Sequence, residues 1–260
     1  MATKLKIILS FIALTFFYHA KAQLKLQTLE YDINKETRKA LIYVPANAKT
    51  KPTAVIFAFH GHGGTMQHAY LGRKFEELWA DAIYIYPQGL PTPGQITDKE
   101  GKKNGWLIDT NEQNRDLIFF DTLLAHLKKE YQVDKDKIFA TGHSNGGSFT
   151  YLLWATRGDI FKAFAPTGAA AFKTLHLMKP KPFFHLVGEK DPLVKPTWQK
   201  LTYQALLKKN KCEAVGKKIN EFATLYPSSN GNNSIIYNYP GGHEYPQEAN
   251  QVIIDFFKSF

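Results

Sequence analysis

The sequence predicts an α/β fold: a mostly parallel sheet of about eight strands with helices on both faces and no large lid domain. Apolar runs of strand length alternate along the chain with longer segments of helical periodicity. This order is typical of parallel strands that are joined by crossover helices. Several of the runs are apolar without interruption, as in strands that are buried on both faces.

The predicted elements are spread over the whole chain after residue 25. The first two strand-like segments, Leu26–Ile33 and Arg38–Val44, are expected to pair as antiparallel neighbours. The later strand-like segments are Ala54–Phe59, Ala82–Tyr86, Lys137–Thr141, Pro182–Val187 and Ser234–Tyr239. The helical segments are Met66–Trp79, Arg115–Tyr131, Ser144–Arg157, Thr197–Asn210 and Gln247–Phe257. Ligands of such sheets bind beyond the carboxyl ends of the strands, so the chemistry is expected there.

The length and composition favour one globular domain over residues 23–260. The chain has 260 residues, of which 44% are hydrophobic and 22% are charged, so neither a disordered chain nor a membrane bundle fits. Cys212 is the only cysteine, so an internal disulfide is impossible and the core must stabilise the fold. The segment from Leu90 to Gln113 has no clear element, and loops of this length are either functional covers or mobile.

The first 22 residues differ from the rest. Lys4 and Lys6 precede an apolar run over Ile7–Tyr18, and Ala20–Ala22 supplies small residues. This pattern predicts a secretory signal peptide that is cleaved after Ala22, and hence a secreted or periplasmic protein. A membrane anchor is the alternative, but the run is shorter than the ~20 residues that span a bilayer.

The charge of the chain is basic but not patterned for nucleic acid. The formal net charge is +10, and the leader's three lysines account for three of these charges, which leaves +7. The remaining lysines are scattered and form no basic stripe with interleaved aromatic residues, so we expect no nucleic-acid partner. A solvated basic surface is the simplest interpretation, and attraction to an acidic polysaccharide is a second one.

Ser144 is the predicted nucleophile. It lies in Gly142-His143-Ser144-Asn145-Gly146, between an apolar strand and a helical segment. G-x-S-x-G in a strand–turn–helix setting is typical of the α/β-hydrolase fold, where a strained turn exposes the serine hydroxyl above the sheet. The alternative is a serine that caps a helix after a glycine turn.

The predicted base and acid follow later strands. A serine hydroxyl needs a base, and His243 stands just after the last predicted strand and a Pro-Gly-Gly turn. Asp191 follows the strand Pro182–Val187 and completes the order Ser, Asp, His that this fold requires. Glu189 is the competing acid. His185 falls within an apolar strand and is interpreted as a core residue.

A glycine-rich segment, Phe59–Thr65, is expected to supply part of an oxyanion hole. The backbone N–H groups of His62 and Asn145 are the predicted donors to the oxyanion, with Gly63 as the alternative to His62. His60 and His62 together also resemble a metal pair. No third ligand with suitable spacing accompanies them, so neither a metal nor any other cofactor is predicted.

The chain resembles a known group of enzymes. The matching stretches are Phe57–Thr65, Tyr86–Leu90, Gly105–Trp106, Tyr131–Asp134, Lys137–Gly147 and Gly241–His243. Through them the chain is similar, from about residue 38 to 255, to secreted feruloyl esterases and polyhydroxybutyrate-depolymerase-like esterases of carbohydrate esterase family one. The resemblance implies the triad Ser144, Asp191 and His243 and the oxyanion pair His62 and Asn145. The chain departs from the family in carrying Arg115-Asp116 where two acids are common, and in having no disulfides.

The expected substrate is a polymer-borne ester, with ferulate or a related hydroxycinnamate on plant polysaccharide as the first choice. Trp106 and Trp198 fall in stretches that border the predicted site and are expected to contact the aromatic acyl group, whereas Trp154 is expected in the core. The rivals are acetylxylan esterase and polyester depolymerase activity. A non-catalytic carbohydrate-binding protein on the same fold and an exported peptidase are further alternatives. No membrane partner is expected, and the protein is expected to be a monomer.

Overall fold

The computed structural model describes residues 26–260. The predicted leader and its cleavage after Ala22 lie outside the described residues. Within residues 26–260, no helix combines the length and the hydropathy that crossing a bilayer requires.

Residues 26–260 form twelve strands and five α-helices. The strands are β1 Gln27–Ile33, β2 Glu36–Tyr43, β3 Thr53–Phe59, β4 Ile83–Pro87, β5 Leu90–Pro91, β6 Asn104–Gly105, β7 Val133–His143, β8 Ala163–Thr167, β9 Phe183–Gly188, β10 Lys217–Lys218, β11 Ala223–Tyr226 and β12 Ser234–Tyr239. The helices are α1 Met66–Arg73, α2 Arg115–Glu130, α3 Asn145–Arg157, α4 Pro196–Lys209 and α5 Ala249–Lys258.

The main sheet has ten strands in the order β1-β2-β4-β3-β7-β8-β9-β12-β11-β10. The strands from β4 to β12 in that order are parallel neighbours, and antiparallel strands flank them on both sides. The prediction of a mostly parallel sheet is therefore confirmed, as is the antiparallel pairing of β1 with β2. The sheet exceeds the predicted strand number because β8, β10 and β11 have no clear apolar signature in the sequence.

Two hydrophobic clusters cover the two faces of the sheet. One cluster contains residues of α2, α3 and α4, such as Phe119, Phe149 and Leu206. The other contains residues of α1 and α5, such as Ala69 and Phe257. Helices thus pack on both faces, as predicted, and β3 is buried along its whole length between them.

The first predicted helix is shorter than the sequence pattern indicated. Helix α1 ends at Arg73 because Lys74 adopts a left-handed conformation, with φ of 42°. A short 3₁₀ turn over Phe75–Glu77 follows instead of a continuous helix to Trp79. A left-handed residue terminates a helix because its N–H turns back to a carbonyl of the last turn, here that of Tyr70.

The long loop after β4 is fastened at its base. It begins with the short hairpin of β5 and β6, and the Arg115 guanidinium donates hydrogen bonds to the Pro91 carbonyl and the Thr92 hydroxyl at 2.8 Å each. The buried Asp116 carboxylate accepts from the Leu107 N–H at 2.8 Å and forms a 2.7 Å ion pair with Arg38. The loop is therefore held over the carboxyl ends of the strands.

Candidate active site

Ser144 lies on a sharp turn between β7 and α3. Its φ of 57° and ψ of −119° are rare for a residue with a side chain. The Ser144 N–H donates to the Thr167 carbonyl of the neighbouring strand at 2.9 Å, which holds the turn against the sheet. Gly146 is required here, because a Cβ at this position would lie 2.5 Å from the Phe59 and His60 carbonyl oxygens. The strain is compensated by this close packing and presents the hydroxyl to the cleft.

His243 connects Ser144 to Asp191. Its Nε2 lies 2.7 Å from the Ser144 Oγ, and its Nδ1 lies 2.7 Å from the Asp191 Oδ2. The carboxylate accepts only, so the Nδ1 carries the proton and the Nε2 accepts from the serine hydroxyl. The parallel neighbours β9 and β12 place Asp191 and His243 side by side, since both residues follow the carboxyl ends of their strands.

The Asp191 carboxylate is fully buried and fully hydrogen-bonded. Its Oδ1 accepts from the backbone N–H groups of Leu193 and Val194 at 2.8 and 2.9 Å. Its Oδ2 accepts from the Gln199 amide at 3.1 Å as well as from His243. Glu189, the competing acid, is exposed and makes no hydrogen bond to His243.

Tyr151 and His185 form a buried hydrogen-bonded pair that the sequence pattern did not reveal. The Tyr151 hydroxyl lies 2.7 Å from the His185 Nδ1, and both side chains are completely buried. Burial lowers the pKa of His185 to about 3 and raises that of Tyr151, so a neutral imidazole accepts from a protonated phenol.

Two buried polar atoms lie here without a hydrogen-bond partner among residues 26–260. They are the His185 Nε2 and the Gln199 Oε1. Contact with the Gln199 side chain partly offsets the effect of burial on the pKa of His185. The Gln199 amide nitrogen donates to the Asp191 Oδ2 at 3.1 Å and to the Val194 carbonyl at 2.7 Å. A reversed amide would set an oxygen against the carboxylate, which is unfavourable.

His143 supports His243 from the other side. Its Nε2 donates to the His243 backbone carbonyl at 2.7 Å. Burial, followed by the neighbouring His243, lowers the pKa of His143 to about 3, so this ring is neutral and holds one fixed tautomer. The second residue of the G-x-S-x-G motif thus anchors the loop that carries His243.

Two backbone N–H groups near Ser144 are free to donate. Asn145 is the first residue of α3, so its N–H has no acceptor within the helix. The His62 N–H makes no hydrogen bond within residues 26–260. The alternative donor, Gly63, is occupied, because its N–H bonds the Asn104 carbonyl at 2.7 Å. Of the two candidates in the glycine-rich segment, only His62 has an available amide.

The Asn145 side chain holds this residue, and with it the Asn145 N–H group, against the long loop. Its Oδ1 accepts from the Trp106 N–H at 2.7 Å, and its Nδ2 donates to the Trp106 carbonyl at 3.1 Å. Both ends of the amide are therefore used, and the start of α3 is tied to the residue that follows β6.

His60 does not have a free nitrogen for a metal. Its Nδ1 donates to the Gly61 carbonyl at 2.7 Å, and its Nε2 accepts from the Gly89 N–H at 2.9 Å. Burial lowers its pKa to about 4, so the ring is neutral. Residues 26–260 contain no group of three or more His, Cys, Asp or Glu side chains that could bind a metal ion.

The cleft at Ser144 is a cavity of about 80 Å³. The segment Gly94–Thr97 forms one wall, and Leu193 and Val194 form the opposite wall. The His62 Nε2 lies 3.1 Å from the Asp98 Oδ2, which joins the proposed oxyanion segment to the loop that forms the first wall. Each wall carries an apolar side chain that is partly open to solvent. Ile96 in the first wall is 49% exposed, and Leu193 in the second is 41% exposed.

The expectation that Trp106 contacts the substrate is wrong. Its ring is 1% exposed, packs against Phe59 and Phe149, and donates from Nε1 to the His60 carbonyl at 2.8 Å. The ring fills the core because its N–H finds a buried acceptor there. Trp198 is 37% exposed on the first turn of α4 but does not line the cavity. Trp154 lies in the core, as expected.

The architecture matches that of solved esterase structures. An acetyl xylan esterase from Aspergillus awamori superposes with a TM-score of 0.65 at 15% identity, over 89% of this chain and 99% of that one. The chain has the α/β-hydrolase fold. A model of the prolyl oligopeptidase family, which shares this fold, matches residues 100–176 and so includes Ser144.

Two curated relatives of this chain carry esterase names. Feruloyl esterase D of Neurospora crassa is 27% identical over 158 residues, covering 55% of this chain and 49% of that protein. A probable acetylxylan esterase A of Aspergillus flavus is 31% identical over 139 residues, covering 53% and 43%. These matches confirm the resemblance that the motifs indicated. The chain spans about half or less of the length of the curated relatives that it matches.

Proposed function

We propose that this protein is a serine carboxylic-ester hydrolase with Ser144, His243 and Asp191 as its catalytic triad. The observation that carries the proposal is the pair of hydrogen bonds that links the Ser144 hydroxyl through His243 to the buried Asp191. The distances from the His243 ring nitrogens to the serine oxygen and to the carboxylate oxygen are both 2.7 Å. Such an arrangement prepares a serine to attack a carbonyl carbon.

In the acylation step, His243 takes the hydroxyl proton as the Ser144 Oγ forms a bond to the ester carbonyl carbon. The carbonyl oxygen gains the negative charge and accepts hydrogen bonds from the N–H groups of His62 and Asn145. Asp191 stabilises the imidazolium that results. The C–O bond to the alcohol then breaks, and His243 returns the proton to the leaving alcohol.

In the deacylation step, His243 takes a proton from a water molecule, whose oxygen attacks the acyl carbon. The same two N–H groups hold the second oxyanion. The bond to the Ser144 Oγ breaks, the serine regains its proton from His243, and the carboxylic acid leaves. The cycle uses only groups of this chain and water.

The proposed substrate is a hydroxycinnamate ester, such as ferulate, on plant polysaccharide. The apolar walls at Ile96 and at Leu193 and Val194 support a planar, largely apolar acyl group, and one curated relative is named a feruloyl esterase. An acetyl ester on xylan is the second candidate. The predicted aromatic wall is lost, because Trp106 is buried and Trp198 does not line the cavity, and this favours the smaller acyl group. Another relative is named an acetylxylan esterase.

The triad is tested with Ser144→Ala. Hydrolysis of p-nitrophenyl acetate is expected to fall by at least about 10⁴-fold, because no other hydroxyl replaces the nucleophile. Ser229→Ala, at an exposed serine, is the matched control and retains the parent rate. A fluorophosphonate probe labels the parent and the control but not Ser144→Ala. Labelling of Ser144→Ala, or near-parent hydrolysis by it, contradicts the proposal and favours a different nucleophile or a non-catalytic binding protein.

The acyl preference is tested by comparing methyl ferulate, acetylated xylan and a polyhydroxyalkanoate film. We expect the highest kcat/KM on methyl ferulate. Faster release of acetate than of ferulate overturns the first substrate in favour of the second, and faster release from the film indicates a polyester depolymerase.

We further propose that residues 1–22 are a signal peptide and that residues 23–260 form the single catalytic domain of an exported protein. The basic start, the apolar run and the small residues before Gln23 support this. Expression of the full chain in an exporting host should give extracellular or periplasmic protein whose N-terminal residue is Gln23. An unprocessed chain that remains in the cytoplasm contradicts the assignment.

A further inference from the structure

An exposed aromatic pair lies outside the cleft, on two segments that follow neighbouring strands. Phe172 follows β8, and Trp198 lies on the first turn of α4, after β9. Their rings meet edge to face, with centroids 6.0 Å apart and an interplanar angle of 79°. The two side chains are 56% and 37% exposed, although aromatic residues of this size usually bury most of their surface.

The two segments are fastened to each other. The Thr202 hydroxyl accepts from the Ala171 N–H at 3.1 Å and donates to the Trp198 carbonyl at 3.2 Å. The Thr202 side chain therefore holds together the two main-chain segments that carry the aromatic pair. A fixed surface of this kind binds a ligand at a lower cost in conformational entropy than a mobile one.

The segment that carries Trp198 also supplies a residue of the cleft. Leu193 lines the cavity and is also 41% exposed, and only four residues separate it from Trp198 along the chain. Leu201, one helical turn after Trp198, is 61% exposed and adds a further apolar side chain to the surface of the same helix.

Lysines surround the pair without balancing acids. Lys173, Lys195 and Lys200 are exposed, and none forms an ion pair with a carboxylate of residues 26–260. The ranges 168–178 and 192–202 contain no Asp or Glu. The Lys195 ammonium lies 5.4 Å from the centroid of the Trp198 ring, so charge and aromatic surface are combined.

We propose that this aromatic–lysine surface, made of Phe172, Lys173, Lys195, Trp198 and Lys200, binds the polysaccharide that carries the ester, and that this polysaccharide bears uronate groups. The flat aromatic faces suit the C–H-rich faces of pyranose rings, and the ammonium groups complement the uronate carboxylates. The inference rests on the proposed esterase function. A second copy of the chain fits less well, because a two-fold interface would bring the like-charged lysines together.

The proposal is tested by polymer binding of the catalytically inactive Ser144→Ala protein. Binding is measured by affinity electrophoresis on glucuronoxylan and on the same xylan after reduction of its carboxyl groups. Phe172→Ser with Trp198→Ala should weaken binding to both polymers by about tenfold, since the loss of two aromatic contacts exceeds 1.4 kcal/mol. Lys→Gln at 173, 195 and 200 should weaken binding to the acidic polymer only, and salt of about 0.5 M should have the same effect.

The matched control is Lys217→Gln with Lys218→Gln and Val215→Ser, at exposed positions near the far edge of the sheet. Parent-like binding by both variant sets overturns the proposal. Equal, salt-insensitive binding to the two polymers overturns its uronate part.

Kinetics on the active protein separate this inference from the proposed function. The ratio of kcat/KM on the feruloylated acidic polymer to that on methyl ferulate should fall by about tenfold in both variant sets. A parallel loss on both substrates indicates damage to the catalytic centre and contradicts a separate surface. If the parent hydrolyses no ester but still binds the acidic polymer through these residues, the proposed function fails while the surface assignment stands.

Discussion

The two sides of the cleft are built in opposite ways. One side carries Asp191 and His243, and we call it the acid–base side after their proposed roles. There the Asp191 carboxylate is completely buried and accepts four hydrogen bonds. The other side, the loop side, is formed by Gly94–Thr97, which lines the cleft and faces solvent. Next to this wall, the Asp98 carboxylate binds His62 and two main-chain N–H groups.

The difference shows which part of the site tolerates change. A buried carboxylate with every partner in place has one low-energy arrangement, so a substitution there leaves an unsatisfied polar group or a wrong tautomer. An exposed loop exchanges its contacts with water at little cost. We therefore expect the proposed chemistry to depend on the acid–base side and the choice of substrate to depend on the loop side.

The largest effect is expected for Asp191→Asn. The amide nitrogen would face the His243 Nδ1 and favour the tautomer that cannot accept the serine proton, so kcat should fall by about 10⁴-fold. Steady-state kinetics on p-nitrophenyl acetate measure the loss. Glu189→Gln, in the same loop but exposed, is the control and should retain the parent kcat. A similar loss in both variants would contradict the assignment of Asp191.

Gln199→Met should have the next largest effect. It removes the amide hydrogen bond to Asp191 at 3.1 Å, a bond to a charged group that is worth about 1.5–3 kcal/mol, so kcat should fall by about tenfold or more. KM should change little, because Gln199 does not line the cavity. Gln204→Met, at an exposed position of the same helix, is the control. A change in KM with an unchanged kcat would argue against a role through Asp191.

Acid should weaken the fold through the buried histidines of the acid–base side. Burial lowers the pKa of His143 and of His185 from the usual 6.5 to about 3 in the folded state. The unfolded chain therefore binds more protons below pH 6.5, and stability that is complete above this value is lost as the pH falls towards 3. At about pH 5.5 each histidine should lower the free energy of unfolding by about 1.4 kcal/mol.

Urea unfolding at pH 7.5 and 5.5 measures this loss. His185→Gln retains a hydrogen-bonding group for Tyr151 and removes one titrating group. On acidification its free energy of unfolding should therefore fall by less than that of the parent, and the difference should equal the contribution of one histidine. An identical pH dependence in the two proteins would show that His185 is not a buried neutral group.

The smallest effect is expected on the loop side, for Asp98→Asn. The substitution weakens the 3.1 Å contact with the His62 ring while an oxygen remains for the main-chain N–H groups, so KM should rise by about threefold with little change in kcat. Glu100→Gln, at an exposed acid of the same loop, is the control. A loss in kcat as large as that of Gln199→Met would show that the two sides of the cleft do not differ as proposed.

The sequence by itself determined the layered fold and pointed to the sharp turn at Ser144, because both features depend on local signals. Uninterrupted apolar runs specify strands buried on both faces, and glycines around Ser144 specify a turn between one strand and the next helix. The positions of Asp191 and His243 after their strands could also be read from such signals, since parallel strands bring their carboxyl ends to one edge.

Only the tertiary structure decided which groups meet at that edge. Gln199 of α4 donates a hydrogen bond to Asp191. Tyr151 of α3 is hydrogen-bonded to His185 of β9, and no local pattern in the sequence marks either contact. The sequence also misplaced the ring of Trp106, whose burial depends on Phe59, Phe149 and the His60 carbonyl from distant parts of the chain. The physical reason is that hydrogen-bond and packing partners are chosen by three-dimensional proximity, which local periodicity does not encode.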